Sequence, residues 1–552
     1  MTFLIYITTA VIILWTTGSQ KWFLPKAGWY DEFFYIGFGD YYFSEPDFHR
    51  NYYKASRLPW IACQSLVRTL FDGITADLVI GYVGVILLSL AAFLLARNFM
   101  PKIPASFLAT IFALLPVNHG SGGWNYHNTL AGPLCLLGFW SITRPVCGVT
   151  GWLMAGGIWG SLIHTNITYI NFLLAVPLLL SFQKNKTEYL LMLIGGLIAT
   201  AAWGFLAVAA GRDFDFWRAQ FSLAKEFVFD PTKQANWYHP LSLNMFVELP
   251  YLCFPSITFL SCLLSVLTKN TNPFPFRMFH PSMFLLWICW HLSGQTALDW
   301  EYFAYPLQQS AFLGILSLYP QNSRGEQIRN QSFISAVAYL SIVLFALFLT
   351  KSALPNLGQN FKVNLLMLSI VPLVLNIPIR SLFLISLLSA FILFFAAVRE
   401  PYGKKSVSAE VNFQKISFIY ELAAKTRNEL KMGDKTVLWY DEDEDPKSEI
   451  IYDSTKKLGA SYAPSFACLG FGFFGRPPAT AIEQLKWDND YIQKFETNQR
   501  RILLLTNEPE KAARFLSHLK KSLPQACFYA VEKVEGYGLK TVIYKIAQNG
   551  HN

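Results

Sequence analysis

Residues 77 to 96 read DLVIGYVGVILLSLAAFLLA, an apolar run that opens on Asp77, then carries no charge until Arg97. A bilayer hydrocarbon core of about 30 Å needs roughly 20 helical residues to cross it. The run is therefore read as a membrane-crossing helix. Comparable runs lie near 2–17, 102–117, 127–142, 148–163, 166–182, 188–210, 246–267, 280–296, 302–319, 331–350, 362–378 and 379–398, about thirteen in all. The first begins at Met1 with no basic stretch before it and no small-residue cleavage site after it. It is read as a retained span, not a signal peptide.

Composition divides the chain in two. Of its 552 residues 53% are hydrophobic and 15% charged, where a soluble protein carries about 25% charge. Residues 1–399 hold 39 of the 81 Asp, Glu, Lys and Arg, and the last 153 residues hold the other 42. The expected fold class is an α-helical polytopic membrane protein over 1–399, followed by a soluble α/β domain over 400–552. That excludes a soluble multidomain enzyme, a disordered chain, a coiled coil, a disulfide scaffold and a single-span receptor. The net charge of +9 is spread over loops and tail and is read as membrane topology, with no nucleic-acid partner. None of the eight cysteines forms a Cys-x-x-Cys pair, which removes the zinc and redox motifs. Cys468 and Cys527 could pair in an oxidising compartment or remain two buried thiols.

Short connections holding Arg97 and Lys102, Arg144, Lys184 and Lys186, Lys269 and Arg277, Arg324 and Arg329, and Arg380 alternate with nearly uncharged ones. Basic loops collect on the cytoplasmic side, which puts the N-terminus inside and, with thirteen spans, the tail outside. The pattern favours a prokaryotic inner membrane. The outer face then holds loops 18–76, 211–245 and 297–301. Of the 16 Asp and Glu in residues 1–399, all but Glu188 and Glu326 map to or near that face, so any chemistry is expected there.

The first outer loop reads Trp29-Tyr30-Asp31-Glu32-Phe33-Phe34-Tyr35, then Gly39-Asp40-Tyr41-Tyr42, then Tyr52-Tyr53-Lys54-Ala55-Ser56-Arg57-Leu58-Pro59-Trp60. Adjacent carboxylates beside a membrane are costly unless solvated, paired or used. Asp31 could also simply cap a helix starting at Glu32. Tyr41, Tyr42, Tyr52 and Tyr53 could stack on a sugar, but an interfacial aromatic belt is the preferred reading.

On these residues and this plan of spans, the chain resembles the C superfamily of glycosyltransferases (GT-C), in particular the protein O-mannosyltransferase and lipid A aminoarabinose transferase branch. The resemblance implies an inverting enzyme that moves a sugar from a polyprenyl-phosphate donor to a glycan, lipid or protein acceptor, among membrane lipids, with no cofactor. The attacking acceptor must lose a proton, so a carboxylate serves as general base; Asp31 is the first candidate and Glu32 the second. The departing lipid phosphate needs fixed cations. Arg57 is best placed, with Lys54 beside it, although an interfacial Arg can also just anchor at the headgroups. Tyr35 is counted among the substrate-binding residues.

Other outer segments supply further candidates. His127 and Asn128 end a glycine-rich loop from Asn118, and either could bond sugar or phosphate; two histidines eight apart make a poor metal site, and plain loop structure is preferred. Arg212 and Arg218 are candidate phosphate contacts, although an Arg218–Asp215 pair at i, i+3 is the simpler reading. His239 is a candidate for acceptor binding. At Asp299-Trp300-Glu301-Tyr302 the resembling family carries Arg-Tyr, and here the Arg position reads Glu301. Asp299, Glu301 and Tyr302 are accordingly assigned to substrate. No metal site is assigned.

In the tail, Val437 to Tyr440, Arg501 to Thr506, and Cys527 to Glu532 with Thr541 to Ile546 read as strands, the last two as a hairpin, with a helix near 508–522. The acidic run Asp441 to Asp445 is read as a solvated loop. No glycine-rich phosphate loop is present, which disfavours nucleotide binding. Two rival functions would leave different marks on the sequence. A lipid-linked glycan polymerase or ligase would place its catalytic residues in a large late loop. A lipid or glycan transporter would show repeated halves and ionisable groups at mid-membrane, where His291 is the main exception and reads as hydrogen-bonded structure.

Overall fold

Prolines and glycines punctuate the membrane region. Pro59 sits in the first turn of one helix, Pro133, Pro255, Pro281 and Pro306 fall inside four others, and Gly211 follows the end of a sixth. The computed structural model of the chain describes parts of 3–25, then 30–44, 53–71, 73–115, 118, 126–144, 148–173, 186–229, 250–267, 274–293, 298 and 301–318. Beyond these it describes scattered positions at 413–421 and 517–521 and the strands within 436–548. The helices are α1 (Tyr30–Tyr41), α2 (Leu58–Leu70), α3 (Gly73–Arg97), α4 (Lys102–Leu114), α5 (Asn128–Thr143), α6 (Val149–Thr165), α7 (Lys186–Ala209), α8 (Arg218–Phe229), α9 (Pro250–Leu267), α10 (Phe274–Leu292) and α11 (Glu301–Ser317).

Eight of the apolar runs coincide with α3 to α7 and α9 to α11, with shifted ends: α4 stops at Leu114 and α10 starts at Phe274. Among the described residues, Gly73–Arg97 and Thr187–Ala209 are long and apolar enough to cross a membrane. Only scattered helical positions represent the run at 2–17, where the Phe3 ring stacks on Phe93 of α3 at 4.6 Å. Of the run at 166–182 only the first residues are described, and the runs at 331–350, 362–378 and 379–398 lie outside the described residues. The segment 18–76 is more than a loop: it holds α1, a 3-10 turn at Tyr53–Ser56, and α2. The segment 211–245 likewise holds α8.

The helices pack around two cores. The larger joins α3, α4, α5, α6, α10 and α11, and the smaller lies under α1 and α2, where Tyr35, Phe38, Tyr42, Trp60, Tyr126 and Ala207 meet. Helices α6 and α7 cross on glycines. A Cβ on Gly156 would stand 1.9 Å from the Met192 carbonyl oxygen, and one on Gly195 would stand 2.0 Å from that of Leu153. Such backbone contact requires small residues, as between helices in lipid. His280 ties α10 to its neighbours, bonding Ser310 Oγ at 2.9 Å and the Pro255 carbonyl at 2.8 Å. His291 is hydrogen-bonded structure, as expected, its Nδ1 accepting from the Leu298 amide at 3.0 Å.

The two ends of the bundle differ. Asn98 Nδ2 donates to the Trp140 carbonyl at 3.1 Å, so the turns holding Arg97 and Arg144 share one end. The starts of α3 and α5 and the close of α7 form the other.

In the tail, β1 (Thr436–Tyr440), β2 (Thr480–Gln484), β3 (Arg501–Thr506), β4 (Ala526–Gly536) and β5 (Leu539–Gln548) form one sheet in the order β2-β1-β3-β5-β4. β1 runs parallel to β2 and β3, and β5 antiparallel to β3 and β4. β4 and β5 pair from Ala526–Gln548 to Gly536–Leu539, and both strands extend beyond the apolar runs that mark them. Within the helix read near 508–522, residues 517, 520 and 521 are helical. Cys468 and the run Asp441 to Asp445 lie outside the described residues.

Candidate functional site

The 3-10 turn Tyr53–Ser56 runs directly into α2. Arg57 is the N-cap, its amide donating to the Lys54 carbonyl at 3.2 Å and its carbonyl accepting from Ile61 at 3.1 Å. Pro59, within the first turn, needs no amide partner there. Residues three apart eclipse in a 3-10 turn, which brings Lys54 and Arg57 to neighbouring positions. Lys54 is 1% exposed, and Arg57 is partly buried.

Arg57 Nη1 donates to the Tyr35 hydroxyl and lies 2.5 and 3.3 Å from the two ring nitrogens of His127. Its Cζ stands 5.6, 5.8 and 5.9 Å from the ring centres of Tyr35, Tyr53 and Tyr126, within cation–π range. Burial opposes the charge on this guanidinium, and the oxygens of Tyr35, Tyr126 and Tyr53 more than offset it, so its pKa is raised and it stays ionised. With a guanidinium against its ring nitrogens, His127 acts as a neutral acceptor. Arg57 Nε is buried without a hydrogen-bond partner, and no carboxylate is among the residue's described contacts. His127 is itself the N-cap of α5. The Arg57–His127 contact therefore joins the N-termini of two helices, the positive ends of their dipoles.

Arg212 is placed by the close of α7. The helix ends with the Gly211 amide on the Val208 carbonyl at 2.9 Å and the Arg212 amide on that of Ala207 at 2.9 Å. Gly211 has φ +72°; this is a Schellman close, which glycine accepts at little cost. The chain turns back, and Arg212, 6% exposed, puts its guanidinium 3.8 Å from the Tyr42 ring centre and donates from Nε to the Tyr42 carbonyl at 3.2 Å. Tyr42 is 1% exposed, which corrects its reading as a belt residue. Its burial pushes the phenol up to about 12, against the opposing pull of Arg212. A cavity of about 530 Å³ opens beside it, lined by Tyr42, Ala55, Arg212, Asp213, Asp215 and residues of α8. Arg218 is exposed and lies 3.9 Å from Asp215, the simple i, i+3 pair.

Asp31 and Glu32 fall in the first turn of α1, which begins at Tyr30. Asp31 is thus inside the helix and is not its N-cap. Glu301 and Tyr302 head α11, while Asp299 and His239 lie outside the described residues. Asn128 accepts from Asn166 Nδ2 at 3.1 Å. His164 is held by Thr200 at 2.9 Å and packs on Phe216 and Trp217. Among the described residues no three His, Cys, Asp or Glu gather as metal ligands.

The sequence did not single out Tyr126, Ser56 or Gln220. Ser56 Oγ and both amide atoms of Gln220 are buried without hydrogen-bond partners. A polar residue flanking a basic motif was the available signal for Ser56; for Gln220, inside α8, there was none.

No protein-family model and no curated protein sequence matches the chain. Solved structures do. ArnT from Cupriavidus metallidurans bound to undecaprenyl phosphate aligns over 98% of this chain and 97% of its own, at 12% identity and a TM-score of 0.55. The apo state of the same protein gives 13% identity, the same coverage and a TM-score of 0.54. The likeness is one of fold across nearly the whole chain.

Proposed function

We propose that this chain is an inverting glycosyltransferase that moves a sugar from a polyprenyl-phosphate donor to an acceptor on the outer face of a prokaryotic inner membrane. The observation that carries the reading is the Arg57 centre. A desolvated cation is costly unless an anion or hydrogen-bond acceptors compensate it. Two cations, two helix N-termini and only neutral described partners at Arg57 make a site for an anion. That the ArnT structure carries undecaprenyl phosphate agrees with a lipid phosphate as that anion.

In the proposed reaction the acceptor hydroxyl or amine attacks the anomeric carbon in line. The bond from that carbon to the phosphate oxygen breaks, its electron pair leaves with the phosphate, and configuration inverts. Arg57 and Lys54 stabilise the growing phosphate charge, with Tyr35 and His127 fixing the guanidinium. Asp31, or Glu32 after it, takes the acceptor proton. Asp31 lies one turn before Tyr35 in α1, about 6 Å of helical rise. Arg212 is the second phosphate or sugar contact through its cavity, with Arg218 at the rim. Gln220 and Ser56 offer unpaired atoms to sugar hydroxyls, while His239, Asp299, Glu301 and Tyr302 remain candidate substrate contacts. Residues 400–552 form the outer domain.

The test is a transfer assay with purified protein, short-chain polyprenyl-phosphate sugars and a membrane acceptor extract. Wild type should form product, and Asp31→Asn should lose about 10² to 10⁴-fold with folding intact. Arg57→Ala should lose both donor binding and turnover. Activity surviving Asp31→Asn would move the base to Glu32 or the acids at Asp213 and Asp215.

A further inference from the structure

Asp77 stands in the first turns of α3 with no solvent exposure, where a carboxylate needs partners. Arg68 Nη2 of α2 forms an ion pair with its Oδ1. Its Oδ2 accepts a 2.6 Å hydrogen bond from the hydroxyl of Tyr420, 343 residues further along the chain. Ile416 and Tyr420, one helical turn apart, are both buried. The Tyr420 ring lies 3.4 Å from the place of a Cβ on Gly73, whose φ is +43°.

Arg68 also backs onto α1. A Cβ on Gly39 would meet Arg68 Cδ at 2.8 Å, Ser65 Oγ donates to the Gly39 carbonyl at 2.6 Å, and the Asp40 carboxylate adds negative charge beside the guanidinium. One buried junction therefore ties together α1, α2, the start of α3 and the segment beyond residue 400. Helices of 12 and 13 residues, the lengths of α1 and α2, are marginal on their own and take their order from tertiary contacts.

We propose that Tyr420 is a positioning residue for the transfer site: through Asp77 and Arg68 it fixes α1 against α2, and so sets the acids at the start of α1 relative to Arg57 at the start of α2. The inference rests on the reading of those residues as base and phosphate anchor. A displacement of about 1 Å between reacting groups costs on the order of 100-fold in rate, so a junction outside the cavity governs turnover without touching substrate. The segment after the membrane region thereby completes the site.

The experiment uses the full chain in lipid nanodiscs, comparing wild type with Tyr420→Phe, Tyr420→Ala and Asp77→Asn. Hydrogen exchange across residues 30–70, kcat, donor KM and melting midpoint are read together. Tyr420→Phe keeps the ring over Gly73 and removes only the hydroxyl. It should speed exchange in α1 and α2 about tenfold, leave α6 and α7 unchanged, and lower kcat about tenfold with donor KM within twofold. Asp77→Asn should do the same. Unchanged exchange over residues 30–70 in both Tyr420 variants would overturn the inference, as would a lowered midpoint with kcat intact. Faster exchange in a protein whose wild type transfers no sugar would support the junction and count against the reading of the site.

Discussion

A guanidinium with one buried nitrogen unpaired and neutral groups on its other side is not what packing alone would favour. Arg57 has that arrangement, and Arg212 differs from it. Arg212 is stacked on Tyr42 and bonded to the Tyr42 carbonyl at the wall of the cavity, while Arg218 stands exposed at the rim, 3.9 Å from Asp215. The two are therefore expected to behave differently. Arg212→Ala should lower turnover about tenfold or more, since it removes a desolvated cation. Arg218→Ala should leave turnover within twofold, as solvent screens an exposed pair. Steady-state rates on both variants decide this, and equal losses would put Arg218 in the site. Lys54 and Arg57 were legible because two basic residues just ahead of Pro59 stand out against an aromatic loop. Their partners were not: His127 is 70 residues from Arg57, and no local spacing reports a contact made by tertiary packing. Asp31 stands out in the sequence as an acid after the first apolar run, but its place inside the first turn depends on α1 starting at Tyr30, two residues before the Glu32 start that the capping reading assumes.

Elements show the same division. Long uniform runs such as α3 and α7 declared themselves, because twenty or more apolar residues have few other uses. The helices α1 and α2 did not, since aromatic and charged residues crowd a short stretch and hide the period. Their order comes from the second core beneath them. The α6–α7 crossing lies between these cases. Gly156 and Gly160 have the small-xxx-small spacing of close helix pairs, but the partner glycines become evident only where Gly195 meets the Leu153 carbonyl. With a Cβ position 1.9 Å from a backbone oxygen, Gly156→Leu cannot be absorbed by side-chain rotation. It should push the helices apart, cost about 3 kcal/mol or more, and lower the melting midpoint in detergent by several degrees. Gly148→Leu, where an added Cβ meets nothing within 4 Å, is the control and should melt with wild type. A Gly156→Leu protein that melts with wild type would mean that the pair is not close-packed.

At the scale of the molecule, the proposed orientation can be tested through placement and charge. The turns holding Arg97 and Arg144 share one end of the bundle, and basic turns favour the cytoplasm. Arg57, His127, Arg212 and Asp77 all lie at the other end, where Tyr420 from the tail also docks. Span counting alone was fragile, since an error of one helix reverses the side of the tail, and several of the helices are under 20 residues with internal prolines. The Tyr420 contact supplies an independent constraint: a tail that begins against the site end belongs on the same side as the site. A single cysteine appended after Asn552 should therefore react with a membrane-impermeant maleimide in intact right-side-out spheroplasts, to the same extent as after lysis. A cysteine in the Arg144 turn, at Val146, should react only after lysis, both in a background with the natural cysteines replaced by serine. Protection of the C-terminal cysteine until lysis would put the tail inside, make the number of crossings even, and move the transfer site to the cytoplasmic face, because the Tyr420–Asp77 bond allows the tail and the site no separate sides.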